Sequence, residues 1–435
     1  MRKFIYQFIA LSFATTATFA QATISPAKPQ SGTIAIVGGT IHVGNGQVIQ
    51  NGTVIFSKGK IISVKEGNAV PQDIAIVHAE GKQIYPGFIA PNNALGLVEV
   101  QSVRATRDAQ ETGTINPHVR SLIAYNTESR IIPTVRSNGT LLSQPTPEGG
   151  LVSGTSSIVQ LDAWNWEDAA YKKDMAVHFN WPTSKQPAEG RRFGGATLTE
   201  EQQKERYQKQ LTELNNYFAE AKAYASTEKP NTFNARFDAM KGLFNGTKKA
   251  MVNVNNQKDI IVAVKFFESF GITPVLVGAE DAVEITGFLK DHNVPIIMYE
   301  SQSLPANDDD DVYLPYKNAK ILHDAGLLIA MSADGYWQQR NLPFMAGVSA
   351  AYGLTKEEAL ATITSNTAKI LGIDNMTGTL EVGKDANIII SEGDALDMMT
   401  NNITTAFIQG RSIDLNNVQK QLYKKYAEKY GIKAD

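Results

Sequence analysis

The central part of the chain alternates short apolar segments with amphipathic ones, and this alternation constrains the fold most strongly. "KAMVNV" precedes "DIIVAVKFFESFG", "TPVLVG" precedes "EDAVEITGFLKDHN", and "LLIAMSADG" precedes "TKEEALATITSNTAKILG". The first member of each pair is typical of a buried strand and the second of a helix. Repeated alternation predicts a parallel sheet in an α/β protein, and the number of repeats favours a TIM-like (β/α)8 barrel over an open sheet.

Two β-rich segments flank this central part. "GTIAIVGGTIHVGNGQVIQNGTVIFSKGKIISV" contains β-branched runs separated by Gly-Asn-Gly, Asn-Gly and Lys-Gly turns, which is an antiparallel hairpin pattern. The same pattern of β-branched runs and glycine-containing turns occurs in "GTLEVGKDANIIISEGDAL". We therefore expect residues 31–85 and 375–413 to form one composite β-sandwich domain, with the barrel domain in residues 86–374.

Two further segments have helical patterns. Residues 199–245 interrupt the barrel alternation as a helical insertion, and Thr199 with Gln202 fits a capping box at its start. We expect this insertion to pack against the barrel wall, with a lid or a dimer contact as the alternatives. Residues 414–435 are predicted to form a C-terminal helix.

The first twenty residues differ from the rest of the chain. Arg2 and Lys3 give a basic start, an apolar run follows, and small residues lead to Ala20. This pattern is typical of a secretory signal peptide, predicted here as residues 1–20, and the run is too short for a membrane anchor of about 20 apolar residues. The expectation is an exported protein, periplasmic or extracellular, without a membrane span after cleavage.

The composition narrows the possible chemistry and partners. The chain has no cysteine, which excludes thiolate metal sites, catalytic cysteines and disulfides. None of its six histidines lies within a metal-ligand spacing of another. The formal net charge of −3 gives no electrostatic reason to expect a nucleic acid or an anionic membrane as partner.

Two segments resemble known signatures of the amidohydrolase superfamily. "GKQIYPGFIAPNNALGL" resembles its opening motif, V-x-P-G-[FL]-I-D-x-H-x-H, and "TKEEALATITSNTAKILGI" with "GTLEVGKDANIIISEGD" resembles its closing signature. Within the superfamily the chain is most similar to an exported, imidazolonepropionase-related branch that shares "NPHVRSLIAYNTES". The resemblance implies a distorted TIM-like barrel with a composite β-sandwich. It also implies hydrolysis of non-peptide carbon–nitrogen bonds in small cyclic amides or related molecules, using a divalent metal such as zinc.

The resemblance fails at the metal ligands. Positions where the family has an Asp or His carry other residues here: Ala90, Asn92, Ala94, Asn253 or Asn255, and Val277. Only the family's last acidic ligand, an Asp after the eighth strand, has a counterpart in this sequence, which is Asp334 in "SADG". Metal binding lowers the pKa of water from about 15.7 to about 7, which corresponds to at most about 12 kcal/mol in generating hydroxide. Because a catalytic zinc usually needs three protein ligands, the sequence predicts a degenerate site without a metal cofactor and with lost or altered activity.

The candidate site residues follow from the strand ends, where barrel enzymes place their chemistry. Asp334 is predicted to act as a general base on water, or otherwise to fix a loop. Asn92, Asn253 and Asn255 either bind a small polar molecule or satisfy one another. His118 either binds that molecule or has a surface or structural role. The alternative function is a non-catalytic binding or interaction protein of the cell envelope, as a homo- or hetero-oligomer.

One long segment is predicted to cover the substrate. Residues 146–168, "TPEGGLVSGTSSIVQLDAWNWED", are glycine-rich and then aromatic. Their length after a predicted barrel strand suits a covering loop. Trp164 and Trp166 would form its apolar walls, or would anchor it in the core.

Overall fold

Two eight-stranded sheets organise the described part of the chain. The computed structural model describes residues 25–185, 198–227, 229–230, 232–305 and 309–433. The predicted signal peptide, residues 1–20, lies outside the described residues. None of the described helices has the length and hydropathy needed to cross a bilayer.

Sixteen strands are present in the described residues. They are β1 (Ile34–His42), β2 (Val48–Ser57), β3 (Lys60–Glu66), β4 (Ala75–His78), β5 (Gln83–Pro86), β6 (Phe88–Asn93), β7 (Thr140–Pro145), β8 (Val152–Gln160), β9 (Ala170–Asn180), β10 (Lys249–Val254), β11 (Val275–Gly278), β12 (Ile296–Met298), β13 (Ile329–Met331), β14 (Ile388–Ser391), β15 (Ile403–Ile408) and β16 (Arg411–Ser412).

Twelve α-helices and three short 3₁₀ helices accompany them in the described residues. The α-helices are α1 (Ser121–Ala124), α2 (Ile132–Arg136), α3 (Trp166–Ala169), α4 (Glu200–Ala225), α5 (Ala235–Phe244), α6 (Gln257–Ser269), α7 (Thr286–Asp291), α8 (Leu314–Asp324), α9 (Leu342–Ala351), α10 (Lys356–Ala361), α11 (Ser365–Ile370) and α12 (Val418–Tyr430). The 3₁₀ helices are Arg104–Thr106, Glu280–Ile285 and Gln338–Asn341.

Both ends of the chain build the first sheet, in the order β16-β15-β14-β5-β1-β2-β3, with β4 beside β1. The two ends meet where β14 pairs antiparallel with β5, and Ile388 lies opposite Pro86 there. The Lys-Gly turn between β2 and β3 has positive φ at both Lys58 (51°) and Gly59 (78°), the backbone that a tight hairpin of this hand requires. The predicted composite β domain is confirmed.

The second sheet is the barrel, in the order β13-β12-β11-β10-β9-β8-β7-β6 with helices around it. Its neighbours are parallel except at β8, which runs antiparallel to both β7 and β9. The predicted barrel is confirmed, but residues 146–168 are not one continuous covering loop, because β8 occupies nine of these 23 residues. This strand is not evident from the sequence, because its small polar side chains are typical of a loop. In the structure neighbouring strands bury these side chains and their hydrogen bonds are made there.

Hydrogen bonds from outside the ladder hold together the two ends of the barrel sheet, β6 and β13. The loop before α11 contributes the carbonyl groups of Thr362 and Ile363, which accept N–H groups of β13 and β6 at 2.9 Å each. Nearer the strand ends, the buried Ser332 hydroxyl donates to the Pro91 carbonyl at 2.7 Å. These bonds close the barrel at its carboxyl end.

The segment that the sequence analysis treats as an insertion begins with α4, which packs against α6. Thr199 and Gln202 form the predicted capping box, with hydrogen bonds of 3.2 and 2.9 Å. Phe218 is fully buried, and its ring centroid lies 5.0 Å from that of Phe266 and 5.5 Å from that of Phe267 on α6. Apolar contact with α6 therefore holds this helix.

A buried ion cluster joins the barrel to the first sheet. The Asp162 carboxylate, 2% exposed, accepts from the Arg136 guanidinium of α2 at 2.7 Å and from Arg411 of β16 at 2.9 Å. Arg136 is 4% exposed and also donates to the Leu161 carbonyl. Because both charged groups are removed from water, the attraction between them must offset the hydration energy that each has lost.

We expect Asp162→Asn to lower the free energy of unfolding by about 3–5 kcal/mol, because it leaves a buried guanidinium without its carboxylate. Urea unfolding followed by circular dichroism measures this change. Asp174→Asn is the matched control: it removes a more exposed pair with Arg120, at 2.8 Å, and should cost about 1 kcal/mol or less. Equal losses in the two variants would contradict the role given to the cluster.

A second contact between the domains involves a histidine. His42 of β1 lies between Glu357 of α10, 2.6 Å from its Nδ1, and the Gln83 amide oxygen, 2.9 Å from its Nε2. Its ring stacks on Tyr85 at 4.3 Å. Burial alone would lower the pKa of His42, but hydrogen bonds to Glu357 and Gln83 and the charges of Glu357 and Asp394 raise it above its usual value.

This raised pKa gives the contact a defined pH dependence. Its contribution to stability is fully present below the unfolded-state pKa of about 6.5 and is lost as the pH rises through the raised folded-state pKa. His42→Gln should therefore lower the urea midpoint at about pH 6 and have little effect at about pH 9. His78→Gln removes an exposed histidine of the same sheet and should change neither midpoint. A His42→Gln effect that is independent of pH would rule out the ionised contact.

Candidate active site at the barrel mouth

The carboxyl ends of the barrel strands surround a cavity of about 380 Å³. Its polar lining comes from β6, β9, β10 and the segments after β7, β12 and β13, through Asn92, Glu148, His178, Asn253, Tyr299 and Asp334. A larger groove of about 700 Å³ is lined by the β1–β2 turn, α10, α11 and the segment after α11, away from these strand ends. Since barrel chemistry is located at the strand ends, the smaller cavity is the candidate site.

The structure brings together three of the five residues predicted from the sequence. Asn92, Asn253 and Asp334 line the cavity. Asn255 is not among the lining residues; it is exposed beyond the end of β10, where its carbonyl accepts a backbone N–H at 2.9 Å. His118 is exposed and also lies outside the lining. Roles for all five in binding or catalysis stay predictions.

Hydrogen bonds fix the end of β6. Asn92 has a left-handed backbone (φ 45°), which asparagine tolerates better than most residues. Its N–H donates to the Gln144 amide oxygen at 3.0 Å, and its carbonyl accepts from the Ser332 hydroxyl at 3.1 Å. The buried Asn93 side chain accepts from the Ser143 hydroxyl at 3.0 Å. The strand end therefore presents the Asn92 side chain from a rigid backbone.

His178 is a site residue that the sequence reasoning missed. It lies on β9 in the cavity lining, 5% exposed, and burial lowers its pKa to about 3, so the imidazole is neutral at physiological pH. Its Nε2 lies 2.7 Å from the Ser156 hydroxyl, which accepts from the Gln144 amide at 3.0 Å. A polar chain thus links the imidazole to the backbone of Asn92. The single signal in the sequence is a histidine within an apolar strand, "MAVHFN".

Glu148 is the second residue missed, and it interacts electrostatically with Asp334. Glu148 is exposed at the mouth, but surrounding protein atoms and the charge of Asp334 raise the pKa of its carboxyl, against the opposing effects of Arg107 and Gln110. Its N–H donates to the Ala109 carbonyl at 2.7 Å, which fixes the loop. A carboxyl that holds its proton more tightly therefore lies near a second carboxyl group. The signal in the sequence is the position of Glu148 shortly after β7, because barrel enzymes place their chemistry after the strands.

Tyr299 completes the polar lining on the far side. Burial raises the pKa of its hydroxyl, and the charges of Asp334, Glu280, Glu300 and Glu148 raise it further, so the hydroxyl remains a hydrogen-bond donor. The adjacent Glu300 accepts the backbone N–H of Asp334 at 3.0 Å, which positions the loop after β13. Acidic groups therefore dominate the electrostatics of this site.

The residues present do not fit a divalent transition metal. Within the described ranges, no group of three or more His, Asp or Glu side chains is placed to hold an ion. Ala94 and Val277 offer only hydrocarbon at two of the family's ligand positions, and Asn92 offers a neutral amide. An amide oxygen is a poor ligand for zinc, and a catalytic zinc usually takes three protein ligands.

Sequence comparison identifies similar proteins for parts of the chain. The Amidohydrolase family profile matches residues 282–413. An imidazolonepropionase of Thermoplasma volcanium is 36% identical over 84 residues, 18% of this chain and 20% of that protein. An imidazolonepropionase of Symbiobacterium thermophilum is 34% identical over 80 residues, 18% of this chain and 19% of that protein. These matches span about a fifth of the length of each relative.

Comparison of structures extends the likeness over most of the chain at the level of the fold. The crystal structure of an amidohydrolase from Thermotoga maritima MSB8 has a TM-score of 0.73 at 21% identity, covering 88% of this chain and 99% of that one. Molinate hydrolase has a TM-score of 0.55 at 15% identity, covering 89% of this chain and 96% of that one. Residues 282–413 are therefore similar in sequence to the Amidohydrolase family, and the described chain shares its barrel fold with a solved amidohydrolase.

Proposed function

We propose that the barrel mouth binds a small polar molecule and hydrolyses one of its carbon–nitrogen bonds without a transition metal. The observation that carries this proposal is that two carboxyl groups, those of Glu148 and Asp334, line one cavity, where desolvation and the charge of Asp334 raise the pKa of Glu148. Two interacting carboxyl groups whose environments differ are suited to opposite roles, one as acid and the other as base. Both groups line the same cavity.

The proposed reaction uses only side chains of this chain and one water molecule. The Asp334 carboxylate takes a proton from water as the water oxygen bonds to the amide carbon. The Tyr299 hydroxyl donates to the oxyanion that forms, and Glu148 gives its proton to the departing nitrogen as the carbon–nitrogen bond breaks. Proton exchange with solvent then restores Asp334 as carboxylate and Glu148 as acid.

The expected rate is modest. General acid–base catalysis typically contributes about 10²–10⁴ in rate. A metal-bound hydroxide supplies more, because up to about 12 kcal/mol favours its formation at neutral pH. We therefore propose altered activity, slower than that of metal-dependent hydrolases.

The lining defines the ligand class. It contains carboxylates and side-chain amides, and none of the described residues that line the cavity is a lysine or arginine. Such a lining favours a ligand that presents N–H donors. Two relatives of part of the chain are named imidazolonepropionase. From that name we propose only the substrate class, a small cyclic amide.

A second candidate function is binding without catalysis, in the cell envelope. The amide and methyl groups at the family's metal positions favour it, and it would use the same cavity. The signal-like residues 1–20 support export in either case. Turnover is what separates the two candidates.

The first prediction concerns the acid–base pair. In a screen of small cyclic amides, Asp334→Asn and Glu148→Gln should each lower kcat by about 10²–10⁴, with ligand affinity changed only a few-fold. The rate should fall as the pH rises through the raised pKa of Glu148, because the acid must be protonated, and Glu148→Gln should remove this dependence. His78→Gln, which changes an exposed histidine of the first sheet outside the cavity lining, is the control. Ligand binding without turnover that either carboxyl affects would favour the second candidate.

The second prediction concerns metal content. Elemental analysis of the purified protein should find less than about one tenth of an equivalent of zinc, manganese or iron, and chelators should leave turnover unchanged, because no three metal ligands are assembled among the residues that the structure describes. A zinc hydrolase taken through the same purification is the control for metal retention. One equivalent of a transition metal that Asp334→Asn removes would overturn the metal-free proposal.

A further inference from the structure

The C-terminal helix α12 is attached to the rest of the molecule almost entirely at its start. Twelve of its thirteen residues are exposed, and Ala427 is the buried one. The preceding Asn417 is buried; its side chain accepts the Lys420 N–H at 2.8 Å and donates to the Ser137 hydroxyl at 2.9 Å. The helix therefore offers most of its surface to a partner.

One face of this helix is apolar and aromatic. Val418, Leu422, Tyr426 and Tyr430 are 45%, 46%, 48% and 64% exposed. Their spacing of four residues places them within about 120° of the helix circumference. Tyr423 borders this face and is also exposed. Exposed large apolar side chains aligned in this way are typical of an interaction surface rather than of isolated surface residues.

The same segment is basic, although the chain as a whole is acidic. Residues 418–433 contain five lysines (Lys420, Lys424, Lys425, Lys429 and Lys433) and one acid, Glu428, which gives +5 − 1 = +4. The whole chain carries a formal charge of −3. An anionic partner is therefore attracted to this helix specifically, and not to the molecule in general.

The combination of tyrosine and lysine distinguishes between two kinds of partner. Protein interfaces are enriched in tyrosine but depleted in lysine. The headgroup region of an anionic bilayer accommodates tyrosine and attracts lysine, and a basic helix with an apolar face binds in its plane. At thirteen residues the helix is about 20 Å long, which suits this orientation and not a span. We propose that α12 docks the protein onto an anionic phospholipid surface.

The test is co-sedimentation of the full chain with vesicles of phosphatidylcholine containing about one third phosphatidylglycerol, and with vesicles of phosphatidylcholine alone. We expect binding to the anionic vesicles, weakened by salt, and weak binding to the neutral ones. Lys424→Gln with Lys425→Gln should reduce affinity about 30-fold, because each lysine near the surface contributes about a five-fold factor. Leu422→Ser with Tyr426→Ser should reduce it at least as much by removing apolar contact.

Matched controls separate this proposal from general charge effects and from misfolding. Lys204→Gln with Lys209→Gln makes the same charge change on exposed positions of α4 and should leave vesicle binding unchanged. Circular dichroism establishes that each variant is folded. Equal binding to both vesicle types, or binding unaffected by the α12 variants, would overturn the proposal. So would dimers seen by light scattering that Leu422→Ser with Tyr426→Ser abolishes while vesicle binding is absent, since the face would then contact a second copy.

Discussion

The closure of the barrel between β6 and β13 is the constraint on which the site depends. Each of these strands is an end of the barrel sheet, and the loop before α11 bridges them with the carbonyl groups of Thr362 and Ile363. At the mouth, the Ser332 hydroxyl donates to two successive carbonyls of β6, those of Pro91 and Asn92. These bonds fix the segments that carry Asn92 and Asp334 relative to each other. A site composed of residues from both ends of the barrel sheet requires such a joint.

Apolar runs make most of the barrel predictable from the sequence, and buried polar groups account for what is missed. Strands β10 to β13 consist largely of aliphatic residues, so the alternation with helices identifies them. Strand β8, "VSGTSSIVQ", has the composition of a loop but is buried along nearly its whole length. Its Thr155 hydroxyl donates to the Pro117 carbonyl at 2.7 Å, and its Ser156 bonds His178. These partners are distant in sequence, so local composition could not reveal that the polar side chains would be satisfied inside the protein.

The candidate site, like the barrel, has features that the sequence predicts and features that it does not. The strand-end rule identifies Asn92, Asn253 and Asp334, because it needs only the order of elements. It cannot identify the raised pKa of Glu148, because that shift arises from the protein atoms around the carboxyl and from the charge of Asp334, on a loop far along the chain. The neutral state of His178 likewise follows from the burial of its imidazole by neighbouring strands. Positions can be inferred from the sequence, whereas protonation states depend on the assembled mouth.

The proposed metal-free site has an electrostatic consequence at the barrel mouth. Carboxylates gathered in a partly desolvated cavity repel one another unless a cation or a proton offsets their charge. Here the raised pKa of Glu148 supplies the proton, and Glu300 is partly compensated by the backbone N–H of Asp334. The proton on Glu148 is held partly by the negative charge of Asp334. A bound substrate that offsets this charge would lower the pKa of Glu148 and allow the proton to be transferred. Under the proposed function, an acidic environment that would ordinarily favour a metal ion is instead suited to acid–base chemistry, because amides and hydrocarbon stand where the resemblance implies histidine ligands.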